Sequence, residues 1–288
     1  AKFALVPTAG KGPHEALAVA FCASVIFLTL PVLLPITARL KATNGRTLGA
    51  LFVWLTWVQI AVFMTHGQWL YFVGAIITTL ATILSSMYGL QVLVFFALPL
   101  SLMYQEAAPL AVIGLGLLIG WFVPVLGARD VLLFKFQHFL WYRRNKFHLV
   151  TTALGRTLFE PLWTLPRLLF TAPREARVLL LSKSPLLIAM YSLPPAWLLL
   201  VSLTDPEVVE MAWRDPLLKF CLAILAASLL TFLLTSLRAF LEWGQAERYF
   251  EYSAPMLILA TILIGFERDF GWSALLSLLC VNIAVLLL

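Results

Sequence analysis

Charge is what this 288-residue sequence lacks most: Asp, Glu, Lys and Arg make up 12% of it, about half the share of an ordinary soluble domain. In its place, 62% of residues are hydrophobic and the mean hydropathy is +0.96, which excludes both a soluble globular chain and a disordered one. Cysteine is scarce too. Cys22, Cys221 and Cys280 sit inside apolar runs without Cys-x-x-Cys spacing, so they offer neither a disulfide framework nor a thiolate metal site and read as small buried hydrophobes. The interiors of the apolar runs contain no ionisable residue, and their polar exceptions are Gln59, Gln91 and Asn282. Ion-coupled transport, transmembrane haem ligation and intramembrane proteolysis all need such groups at that depth. The sequence argues against all three, while a passive conduit or a flippase stays compatible with it.

What is present is length in the right units. Apolar runs fall at about 16–36, 47–65, 69–85, 88–104, 109–127, 185–203, 217–237, 255–266 and 271–288, and a crossing needs about 20 residues. The expectation is an all-α, polytopic transmembrane bundle of eight or nine spans with amphipathic interfacial helices on the cytoplasmic side. It divides into residues 1–127 (five spans), 128–184 (a basic interfacial segment) and 185–288 (four spans). The run at Ala16 to Ile36 is read as a retained span because no small-residue cleavage site comes after it. In the 69–104 region only "SSMYG" separates two short runs, which makes either a tight hairpin or a re-entrant pair. With nine crossings, fifteen Lys and Arg fall on one side and five on the other. By the positive-inside rule the N-terminus is then outside and 128–184 in the cytoplasm. The chain opens on Ala1 and closes inside an apolar run at Leu288, which predicts a longer parent protein.

Residues 128–184 are too charged to span and too apolar for a free linker. Within "RDVLLFKFQHFLWYRR", Leu132, Leu133, Phe136, Phe139 and Leu140 make one helical face, with Asp130, Gln137, His138 and Arg144 roughly opposite. Trp141 and Tyr142 are interface-seeking, so this helix is expected in the headgroup layer. Two or three such short helices are expected, since Pro161 and Pro166 interrupt the stretch "TALGRTLFEPLWTLPRLLF". Ten Lys and Arg stand against three acids between 129 and 183. They either hold a phosphate or diphosphate head group, with Arg143 and Arg144 as bidentate partners, or anchor the segment to anionic lipid. His138 and His148 are candidate acid–base groups or ordinary interfacial residues. The interleaved Phe, Leu and Trp exclude a nucleic-acid partner.

The other concentration of polar residues is "WGQAERYFEYS", Trp243 to Ser253. On a helix starting after Gly244, Glu247 and Glu251 are i, i+4, and Arg248 reaches Glu251 and Tyr252. Two acids at that spacing repel unless a basic partner, a bound cation or solvent relieves them. The stretch reads as a juxtamembrane helix with local ion pairs, as a dock for the 129–183 arginines, or as a site for a phosphate-bearing lipid. In "LTSLRAFLEWGQAERYFEYSAP" a helix end, a Gly, an acid-Arg-Tyr-x-Glu-Tyr run and a Pro that opens the next span come in order. These 22 residues resemble a juxtamembrane pattern of multi-spanning bacterial membrane proteins of cell-surface polysaccharide assembly.

That resemblance implies residence in the bacterial inner membrane and work on lipid-linked glycan, but carries over no catalytic residue. The expected function is an integral membrane component of envelope glycan or lipid biosynthesis acting at the cytoplasmic leaflet on a lipid-linked substrate, with enzymatic activity left open. The alternatives are an uncoupled transporter or flippase, its path passing Gly89 and Pro194–Pro195, and a non-catalytic subunit that docks a soluble partner through 129–183. The expected substrate- or partner-binding residues are Glu247, Arg248, Glu251, Tyr252, Arg143, Arg144 and His138. Expected partners are membrane lipid, a lipid-linked phosphate-bearing substrate, and a soluble cytoplasmic partner or further domain. No metal or other cofactor is expected.

Overall fold

An apolar run in lipid must satisfy its own backbone, and a helix does so within one segment. The computed structural model describes residues 24–26, 45–149, 160–178, 186, 189–190, 193–237, 240, 243, 246–267 and 277–282. Among them there is helix and no strand. The helices are α1 (Gly45–His66), α2 (Trp69–Ser85), α3 (Met87–Tyr104), α4 (Ala108–Phe122), α5 (Ala128–Leu149), α6 (Glu160–Thr171), α7 (Pro173–Val178), α8 (Pro194–Ser202), α9 (Pro206–Arg214), α10 (Pro216–Thr235) and α11 (Tyr249–Glu267). Leu48–His66, α3 and α10 are long and apolar enough to cross a bilayer; α2, α4 and Tyr249–Gly265 are apolar but shorter. The chain is a membrane protein on that ground. The expected spans at 16–36 and 271–288 lie outside the described residues except for 24–26 and 277–282, and of the first eight residues of the 185–203 span only 186 and 189–190 are described.

Side-chain pairs fix how the helices run. Thr56 meets Thr78, oxygen to oxygen at 2.8 Å, and Phe63 meets Phe72 with ring centroids 5.0 Å apart, so α1 and α2 are antiparallel across a two-residue turn. Trp57 stacks on Phe96 at 6.2 Å, and a Cβ on Gly89 would meet Val53; α3 therefore runs parallel to α1 and antiparallel to α2. The 69–104 region is thus a tight hairpin of two helices broken at Ser86, which has extended backbone and caps α3 by accepting from Gly89 N at 3.0 Å. Gly116 of α4 lies so close to α2 that a Cβ there would come within 3.0 Å of Thr79 Cβ. Glycine lets the two backbones approach where dispersion, not water exclusion, must hold helices together. On the far side α10 and α11 are antiparallel, with Ser253 Oγ donating to Ser228 Oγ at 3.0 Å. Tyr104 at the end of α3 meets the start of α10.

The two clear polar exceptions inside the runs join helices. Thr78 Oγ1 of α2 donates to Gln59 Oε1 of α1 at 3.2 Å, and Gln91 of α3 accepts from Tyr249 of α11 at 3.5 Å. Asn282 Nδ2 reaches Ile26 O at 3.4 Å.

Three expectations need correcting, and one connection holds a helix of its own. The 109–127 run stops being α-helix at Phe122, because Pro124 pushes Val123 into extended backbone and a 3-10 turn ends at Gly127 with φ +62°. The acidic connection "TDPEVVEMAWRD" between α8 and α10 forms the helix α9. It is N-capped by Asp205 Oδ1, which accepts from Glu207 N at 3.0 Å, and Pro206 stands where its missing N–H costs nothing. Pro255 does not open its helix, since α11 starts six residues earlier at Tyr249. Residues 246–248 are a 3-10 turn, so Glu247 and Glu251 do not share one α-helical face.

Candidate functional site

At the end of the bundle that carries Ser86, α5 lies across the helix ends. Ala128 packs at Gly120 near the end of α4, Lys135 reaches the end of α2, and Phe139 meets Trp243 at 4.6 Å between ring centroids. These contacts fall at 128, 135 and 139, so the inward face of α5 is Ala128, Leu132, Lys135 and Phe139. The apolar stripe read from sequence is divided by this packing: Leu132 and Phe139 lie with the inward face, whereas Phe136 is 58% exposed. The reason is chemical. The C-terminus of α2 carries a partial negative charge, and a cation meets it better than a hydrocarbon does, even though Ser86 O also accepts from Leu90 N at 3.2 Å. Lys135 Nζ donates to Ser86 O at 3.2 Å and to Ile83 O. Burial pushes the ammonium down from 10.5 to about 8.

The 243–253 motif packs on the same end. Trp243 sits between Phe139 of α5 and Phe95 of α3, the latter at 4.9 Å. Tyr249 is fully buried, donating to Trp243 O at 3.1 Å. Its own carbonyl accepts from Ser228 at 3.3 Å, and the Tyr252 carbonyl accepts from Trp54 Nε1 at 3.0 Å. The motif thereby ties α11 to α1, α3 and α10. Arg248 is half-buried with its guanidinium 5.2 Å from the Tyr88 ring centre.

The expected site residues therefore separate. Tyr252 is buried and Glu251 half-buried in the first turn of α11, while the Glu247 side chain lies outside what is described. Arg143 and Arg144 are exposed on α5. His138 is half-buried beside near-parallel Phe134 and Trp141 rings at 6.1 and 6.4 Å, with Tyr142 edge-on at 4.7 Å. The motif and α5 do meet, and the join is aromatic, Trp243 on Phe139. His148 lies at the end of α5 and its side chain is outside the described set. Among the described residues no three His, Cys, Asp or Glu side chains gather as a metal site would require. Gly89 packs against Thr82 and Val53, and Pro194 and Pro195 are buried at the start of α8.

Sequence reasoning missed Lys135, Trp243 and Tyr249. A signal for the first was present: Ala128, Leu132, Lys135 and Phe139 recur at i, i+4, i+7, i+11, so a lysine stands inside an otherwise apolar stripe.

Comparison with protein families, with curated proteins and with solved structures found no match to this chain, so its functional reading stands on its own residues.

Proposed function

We propose that this protein is an integral component of cell-envelope glycan or lipid biosynthesis in a bacterial inner membrane, acting at the cytoplasmic leaflet on a lipid-linked, phosphate-bearing substrate. The bundle crosses the membrane eight or nine times with the N-terminus outside, and α5 to α7 form its cytoplasmic interfacial layer. One observation carries the reading: a cation-bearing aromatic layer, α5 with the 243–252 motif, lies across the helix ends on one side of the bundle. A phosphate linked to an isoprenoid or acyl chain needs cations at headgroup depth beside apolar surface, and that layer supplies both. The likeness of Leu234 to Pro255 to polysaccharide-assembly proteins supports the same conclusion.

Within the motif we assign Arg248 and Glu251 to substrate, as the charged side chains that flank the tyrosines building the fold. Replacing Arg248 by Ala, or Glu251 by Ala, is expected to abolish envelope glycan or lipid product with the membrane level of the protein unchanged. Normal product from both variants would remove the motif from the site.

A further inference from the structure

The cations of α5 divide into those the fold uses and those it leaves outward. Lys135 is spent on the Ile83 and Ser86 carbonyls, and Arg129 lies 5.5 Å from the Trp121 ring centre. Arg143 and Arg144 are exposed, and among the described residues neither forms an ion pair. At about 100° per residue, Arg129, Leu133, Phe136, Leu140, Arg143 and Arg144 occupy one arc of about 100°. It is separate from the inward face of Ala128, Leu132, Lys135 and Phe139, and separate again from the face with Asp130, Gln137 and His138. An apolar strip edged by arginines on a helix laid across the ends of membrane-crossing helices has the form of a surface facing lipid headgroups. Trp141, half exposed, belongs at the same depth.

Charge complementarity selects the occupant. The 129–183 segment carries ten Lys and Arg against three acids, so a zwitterionic headgroup layer leaves the arginines without net counter-charge and an anionic one supplies it. From this geometry we infer that Arg143 and Arg144 bind anionic phospholipid, with Leu133, Phe136 and Leu140 sunk at the acyl boundary of the membrane that the bundle spans. The inference rests on the proposed interfacial placement of α5. It assigns these arginines to bulk lipid, leaving Arg248 and Glu251 to the substrate.

The test uses the full chain reconstituted in phosphatidylcholine vesicles containing spin-labelled phosphatidylglycerol or spin-labelled phosphatidylcholine. The motionally restricted fraction of each label reports occupancy of the lipid layer in contact with the protein. Wild type is expected to prefer the anionic label, and Arg143→Gln with Arg144→Gln to lose on the order of fivefold of that preference per arginine, with α-helical circular dichroism unchanged. Equal occupancy by both labels in wild type, or a preference the double variant keeps, overturns the inference. So does a soluble protein retained by wild type and shed by the double variant while lipid preference stays the same, because the face would then belong to a protein partner. Product formation in the Arg248 and Glu251 variants is read separately, so the lipid inference and the proposed function fail independently.

Discussion

Lys135 shows how one side chain reassigns an element. The residue's hydrocarbon stem packs with the inward face while its ammonium meets the carbonyls at the end of α2, so Lys135→Met removes the donor and leaves those carbonyls without it. A loss of about 1–2 kcal/mol is expected at neutral pH, measured as a lower unfolding temperature in detergent. The sign of the pH dependence comes from burial. With a folded value of about 8 against an ordinary 10.5, the folded state binds fewer protons than the unfolded one between those limits. The proton-linked part of the Lys135 contribution is therefore full above about 10.5 and lost as pH falls through about 8, in addition to the contact that is already present at neutral pH. The gap between wild type and Lys135→Met should widen from pH 7.5 to 10, and a gap that narrows would count against a buried ammonium. The tyrosines of the motif teach a related lesson: acids and aromatics together look like a site in sequence, yet the Tyr249 hydroxyl is occupied by Trp243 O.

At the scale of the element, the contact between α2 and α4 is made by spacing rather than by chemistry. Gly116 and Gly120 are four apart on α4, the first against Thr79 and the second against Leu80, Ile83 and Ala128. Gly114, two positions before, meets nothing within 4 Å. Gly116→Leu is expected to destabilise by about 1–3 kcal/mol through overpacking, whereas Gly114→Ala should be neutral or stabilise by about 0.5–1 kcal/mol through helix propensity. Thermal melts of the two variants in one detergent compare them directly, and equal effects would show that α4 does not approach α2 by that face. The helix α6 poses the opposite case. Its Trp163 and Phe170 are 82% and 90% exposed, while Thr164, Arg167 and Thr171 mark a narrow polar stripe at i, i+3, i+7. A helix so apolar around most of its circumference is suited to lie in a membrane surface.

For the whole molecule, the antiparallel order of α1 to α4 fixes which turns share a side. Gly67–Gln68 and Gln105–Glu106 lie at one end, and Ser86 and α5 at the other. In a background without native cysteine, Gln68→Cys and Gln105→Cys should react with a membrane-impermeant thiol reagent from one side and Arg143→Cys only from the other. Labelling of all three from the same side would contradict a bundle that crosses the membrane. The class of molecule was legible from the sequence because hydropathy and the absence of charge inside the runs depend on the solvent, not on neighbours. Most run positions were legible for the same reason. Helix ends at Phe122 and Tyr249 were not, since Pro124 and Pro255 act on the backbone according to local context: one stops α4, while the other is carried inside α11. The candidate site divided along the same line. Sequence alone found the basic segment and the Trp243–Ser253 motif. Only tertiary structure decided that they meet through Trp243 and Phe139, that Lys135 faces inward, and that Tyr249 is core. Each of those depends on which helix end lies opposite, and a partner far along the chain leaves no periodicity in the segment that receives it.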